Sequence, residues 1–162
     1  MKIGIVIPAH NEAMTIAKCL ASVRAAIEEL PSIIEVYTLV VLDSCTDNTE
    51  SIVKAAGIDY LCCNYQCVGQ VRNIGIRHAI TNDATWLACT DADSVVPIDW
   101  LVRQIEHISH QPTDMICGVV DIDSWAHLTP QTRKDYIAHY QDKMGHRHIH
   151  GANLSFSTKT YL

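Results

Sequence analysis

The stretch TWLACTDADS, residues 85–94, ends an apolar run on two carboxylates, Asp91 and Asp93, set one residue apart. In an extended chain the side chains at i and i+2 point the same way, so this spacing aims both groups at one place. Two carboxylates held together repel unless something positive stands between them. The chemistry that suits them is hard-cation binding. Magnesium and manganese favour oxygen ligands, and magnesium commonly takes one or two protein carboxylates plus substrate phosphates. An isolated D-x-D is equally the mark of a solvated loop in which one Asp caps the next turn. Its place directly after a buried-type strand, with Asp43 ending another, favours the cation.

The elements that must position these groups alternate along the chain. KIGIVIP (2–8) is an apolar run of strand length, and Ile16, Leu20, Val23, Ile27 and Leu30 then recur at helical spacing up to Pro31. EVYTLVVLD (35–43) is apolar and β-branched, as a strand covered on both faces should be. Asp47 and Glu50 have the spacing of a capping box for a helix running to about residue 56. DYLCC (59–63) predicts a strand, 70–80 a helix and 84–90 a strand. A helix follows with Leu101, Val102, Ile105 and Ile108 on one side. Residues 115–123 predict a strand, 131–144 a helix and 149–157 a final strand. Such alternation implies one domain over residues 1–162: a largely parallel sheet between helices, with ligands collecting beyond the carboxyl ends of the strands. The polar residues His10, Asn11, Glu12, Asp43, Ser44, Asp91 and Asp93 cluster at those ends.

Composition narrows the field. With 162 residues and 48% hydrophobic content, the chain can bury a proper core. A net charge of −6 argues against a nucleic-acid partner. The N-terminal MKIGIVIPAHNE is neither a leader peptide nor a membrane span, which implies a cytoplasmic protein without a transmembrane segment. Its seven scattered cysteines are then reduced, and CCNYQC lacks the paired spacing of a zinc site. A dinucleotide oxidoreductase would need G-x-G-x-x-G after the first strand, which is absent.

The motifs IVIPAHNE, VVLDSCTDNT, VGQVRNIGI, CTDADS and GANLSF occur in the order and approximate spacing found in family-2 glycosyltransferases, which this chain resembles over nearly its whole length. The resemblance implies the GT-A fold, a Rossmann-like α/β/α sandwich with a mostly parallel central sheet. It also implies transfer of a sugar from a nucleotide-diphosphate donor to an acceptor, by inverting displacement assisted by a divalent cation, manganese or magnesium. The acceptor is not identified by the motifs. By the same resemblance, Pro8, Ala9, Asn11 and Glu12 border the nucleotide, with Glu12 accepting from ribose hydroxyls, and Asp43 accepts from the base. Arg72 faces the phosphates and Asp93 is the direct metal ligand. Asp91 binds through the ribose or a metal-bound water. The same pocket without chemistry, a nucleotide-sugar binding module, is the alternative.

Two features fall outside that pattern. In GHRHIHGAN (145–153), His146, His148 and His150 would share one face if extended. They suit a transition-metal site, completion of the diphosphate cation's shell, or contact of His150 with donor sugar or acceptor. The sequence also closes at KTYL, soon after G-A-N, whereas the family's acidic general base and much of its acceptor pocket lie after that point. The resemblance therefore assigns no general base here and implies a truncated or unusually short chain. Asp121 and Asp123 are nominated by no motif.

Overall fold

The computed structural model describes residues 1–126, 128–140 and 143–162. Its strands are β1 (Lys2–Ala9), β2 (Glu35–Asp43), β3 (Asp59–Cys63), β4 (Trp86–Cys89), β5 (Met115–Cys117) and β6 (Leu154–Ser157). Its helices are α1 (Ile16–Glu28), α2 (Thr49–Ala55), α3 (Val68–Thr81), α4 (Trp100–His110), α5 (Pro130–His139) and α6 (Thr158–Tyr161). The six strands form one sheet in the order β3-β2-β1-β4-β6-β5. β1 pairs in parallel with both β2 and β4, β2 with β3, and β6 runs antiparallel to β4 and β5.

Alternation along β1 explains the layers. Ile3, Ile5 and Ile7 face one core with Ile16, Leu20 and Val23 of α1, Val53 of α2 and Leu101 of α4. Val6 faces the other, with Leu39, Val41 and Leu87 of the sheet and Val71, Ile76 and Ala79 of α3. Each large side chain removed from water in this way contributes roughly 1.5–3 kcal/mol. Both faces of the central strands are therefore covered, as their uninterrupted apolar sequences require. Gly75 is what lets α3 sit so close. A Cβ there would stand 2.5 Å from Cγ1 of Val6 and 2.8 Å from Cγ2 of Val41.

Several sequence expectations are corrected. The strand expected over 115–123 ends at Cys117, and the one expected over 149–157 begins at Leu154. The cause is shared: Gly151–Asn153 curls into a 3₁₀ turn, so beyond the Cys117–Leu154 pair there is no extended partner to continue the ladder. The helix expected over 131–144 is α5, opened by Pro130 and capped by Thr129, whose Oγ1 accepts from Thr132 N–H at 3.1 Å. It ends at His139, and residues 141–142 of that expectation lie outside the described residues. Only half the capping box forms. Asp47 Oδ1 accepts from Thr49 N–H at 2.9 Å, while Glu50 turns to Lys54 at 2.6 Å. Among the described residues no helix is long and apolar enough to cross a membrane.

Candidate functional site

The order β2-β1-β4 places a chain reversal at the centre of the sheet, where the crevice beyond the strand ends is the natural ligand position. A cleft of about 730 Å³ opens there. β1 and the loop after it contribute Pro8, Ala9 and Glu12; β2 contributes Asp43; α3 contributes Val71 and Arg72. The turn after β4 contributes Asp91 and Asp93. The expected site residues Pro8, Ala9, Glu12, Asp43, Arg72, Asp91 and Asp93 are thus brought together from elements far apart in sequence.

Local bonds explain how they are held. Asn11 adopts a left-handed backbone with φ 56°, and its Oδ1 accepts from the N–H groups of Thr46 at 2.7 Å and Asp47 at 3.3 Å. Glu12 N–H donates to Thr49 Oγ1 at 2.7 Å, and Ala13 N–H to Asp47 Oδ2 at 2.9 Å. The loops after β1 and β2 are therefore laced together. The Glu12 carboxylate accepts from Thr15 Oγ1 at 2.6 Å. Asn11 itself does not line the cleft; its side chain braces the two loops.

Asp43 is buried, 5% exposed, and lies at the floor of the cleft. Burial alone would raise its pKa, but the backbone N–H groups of Tyr65 and Gln66 and the side chains of Ser44 and Cys63 hold it below the ordinary 3.8. Tyr65 N–H donates at 2.8 Å and Ser44 Oγ at 3.2 Å. Asp43 is thus a fixed anion. By capturing Tyr65 it also draws the loop after β3 over the cleft, where Gln66 (φ 50°) and Cys67 join the lining. Neither was found from sequence, because the contact that places them joins residues 22 apart with no motif spacing.

Asp91 and Asp93 do not sit in an extended segment, as their spacing had implied. Ser94 N–H donates to the Asp91 carbonyl at 3.0 Å, closing a turn. The positive group beside Asp91 is Arg72, whose Nη2 donates to Asp91 Oδ1. The Arg72 Nε is buried without a partner. Asp93 is exposed and carries no ion pair among the described residues. Burial, and then the charges of Asp93, Asp91 and Glu12, push the pKa of the nearby Cys19 thiol up to about 12.

The donor set fits the hard cation that the family resemblance implies. Asp91 and Asp93 offer only oxygens at the rim of one cleft. Among the described residues no three His, Cys, Asp or Glu side chains gather into a cage that could hold a metal ion by themselves. A cation held by these two carboxylates would need its remaining oxygens from substrate or water.

The histidines share one face, as expected for an extended segment. His146, His148 and His150 form a ladder with successive centroids 5.5 and 5.8 Å apart, and Tyr140 stacks on His148 at 4.5 Å. They form no three-histidine metal site. His150 does not line the cleft, although its Nε2 is buried without a partner. The G-A-N residues after it act structurally. Gly151 packs on the Arg72 guanidinium. Asn153 accepts from Trp100 Nε1 at 3.0 Å and donates to Val119 O at 3.0 Å. All seven cysteines are free thiols.

The sequence profile described as glycosyl transferase family 2 matches residues 4–159. No curated protein sequence matches the chain. Among solved structures, S. aureus TarS 1–349 in complex with UDP-GlcNAc superposes with a TM-score of 0.64 at 21% identity, covering 76% of this chain and 36% of that one. The mannosyltransferase PcManGT from Pyrobaculum calidifontis, in complex with GDP-Man and Mn2+, gives 0.68 at 18% identity, covering 97% and 44%. Glucosyl-3-phosphoglycerate synthase from Mycobacterium tuberculosis, in complex with UDP, gives 0.58 at 14% identity, covering 98% and 57%. At these identities the likeness is one of fold, and the chain spans between about a third and somewhat over half the length of these proteins.

Proposed function

The chain belongs to glycosyl transferase family 2, and from that premise we propose that residues 1–162 act as one GT-A domain that binds a nucleotide-diphosphate sugar in the cleft beyond β1, β2 and β4 and transfers the sugar to an acceptor hydroxyl. The observation that carries this reading is the convergence of Glu12, Asp43, Asp91 and Asp93 on a single cleft. The relatives bound to UDP-GlcNAc, UDP, or GDP-Man with Mn2+ support a nucleotide-sugar donor.

In this mechanism the ionised Asp43 accepts a hydrogen bond from the base, and Glu12 accepts from the ribose. Asp93, with Asp91 beside it, would hold a divalent cation, manganese or magnesium, which would supply positive charge against the diphosphate. Arg72 fixes Asp91 through their ion pair and adds a second positive group near the same position. The acceptor oxygen bonds to the anomeric carbon as the bond from that carbon to the diphosphate oxygen breaks. The electron pair leaves with the nucleoside diphosphate, the acceptor proton passes to water, and the configuration inverts. The cleft's role is chiefly to hold the two partners in line. Seven free thiols suit a reducing, cytoplasmic setting.

The test is saturation-transfer NMR with UDP-GlcNAc and GDP-mannose, each with Mg2+. Signal on base and ribose protons that disappears in Asp43→Ala supports the reading. Equal signal in native protein and Asp43→Ala contradicts it. A non-catalytic binding module would bind equally well but release no nucleoside diphosphate in the presence of any acceptor.

A further inference from the structure

The ion pair between Arg72 and Asp91 is largely withdrawn from water, with side chains 20% and 33% exposed. Solvent therefore screens it less than it screens a pair on the open surface. A guanidinium carries five N–H donors. Among the described residues Arg72 uses Nη2, on Asp91 Oδ1, while its Nε is buried without a partner. The backbone of Gly151 backs the group so closely that a Cβ there would stand 2.4 Å from Cζ and 2.6 Å from Nη1 and Nη2. Arg72 also lines the first cleft, where its side chain has room to turn.

The carboxylate that Arg72 holds has a second claimant. Asp91 borders the first cleft and another of about 1220 Å³ beside it, so a dissolved divalent cation could reach it from either. With Arg72 in place, such a cation would share Asp91 with a guanidinium and meet like charge at close range. The two are compatible only when further negative charge joins them. A nucleoside diphosphate brings that charge. Its oxygens also suit a guanidinium, whose planar fork favours paired bonds to phosphate over the single bond that Arg72 makes to Asp91.

We propose that Arg72 is an exchangeable counter-ion. The ion pair is the resting arrangement, in which the guanidinium neutralises Asp91 in the cation's stead. When a nucleoside diphosphate arrives with its cation, Arg72 cedes Asp91 and turns to the phosphate oxygens. The cation therefore binds weakly alone and tightly with nucleotide, and the two ligands are coupled through the guanidinium as well as through their own contact. This proposal rests on the donor reading above.

Two affinities measured on the same variants test it: Mn2+ alone, from the free-ion signal in electron paramagnetic resonance, and UDP or GDP with Mg2+, by calorimetry. In Arg72→Gln, Mn2+ alone should bind more tightly than to the native protein and nucleotide more weakly. Each shift should be about fivefold or more, the lower end of ordinary coupling between ligands. Arg72→Lys, which keeps the charge, should return Mn2+ binding toward the native value. Arg77→Gln removes an equal charge from an exposed position on α3 and should move neither affinity. Should Arg72→Gln not fold, Gly151→Ala carries the test, because it dislodges the same guanidinium and should shift the two affinities in the same opposite directions. Mn2+ binding that is unchanged or weaker in Arg72→Gln, or equally tightened in Arg77→Gln, overturns this proposal and leaves the donor reading standing. Failure of both nucleotides to bind the native protein removes the donor reading, and this proposal with it.

Discussion

The backbone of Gly151 lies against the guanidinium of Arg72, so close that a Cβ there would stand 2.4 Å from Cζ. The same guanidinium holds Asp91, so the turn after β4 is positioned partly from β6's leading edge. In Gly151→Ala the atoms displaced are the far end of a flexible side chain, which can swing away at little cost to folding. The expected outcome is a change in stability within about 0.5 kcal/mol, as for most substitutions clear of the core. Nucleotide affinity should nonetheless fall severalfold as Arg72 leaves Asp91. Urea denaturation and nucleotide titration on the same variant check the two halves.

Gly75→Ala should behave in the opposite way. Its new methyl would meet Val6 and Val41 inside the sheet, where neither neighbour can step aside. Overpacking of this kind costs about 1–3 kcal/mol. A variant as stable as the native chain would show that α3 can lift off the sheet freely.

Much of this was legible in the sequence, for identifiable reasons. β2 was expected over 35–43 and occupies those residues, because an unbroken apolar, β-branched run admits little else. The carboxylates at the strand ends were legible because polar residues that close buried strands have few places to go. Relations between elements were not. The Arg72–Asp91 pair joins residues 19 apart, the reversed direction of β6 leaves no mark in its own composition, and the seat of Arg72 on Gly151 depends on both. Periodicity reports what an element is; it does not report which neighbour it meets. The D-x-D spacing misled in one respect, since an extended chain was assumed where Ser94 closes a turn.

Asp43 ties stability to pH. Its folded pKa lies below the ordinary 3.8, so its contribution is fully present above that value and is lost as pH falls through the lowered one. Urea midpoints measured from pH 7 down to pH 2.5 should therefore drop below about pH 3.8, the ordinary value. In Asp43→Asn the midpoint should be lower at pH 7 and the acid limb shallower. An acid limb identical to the native one would remove Asp43 from this role.

The thiols should divide by position. Cys62 and Cys67 are exposed, whereas Cys19 and Cys89 are buried and burial pushes both up to about 12. Iodoacetamide at pH 8, followed by peptide mass spectrometry, should label Cys62 and Cys67 and spare Cys19 and Cys89. Because Cys67 lines the first cleft, UDP or GDP with Mg2+ should slow its labelling and leave Cys62 unaffected. Equal protection of both thiols, or of neither, would contradict the placement of the nucleotide.

The most direct measurement is calorimetric titration of UDP and GDP in the presence and absence of Mn2+, on the native protein and on Asp93→Ala. Cation-dependent binding of at least one nucleotide by the native chain, with the cation's contribution abolished in Asp93→Ala, is the predicted result. The same affinity in all four conditions for each nucleotide would contradict a diphosphate site built around Asp91 and Asp93.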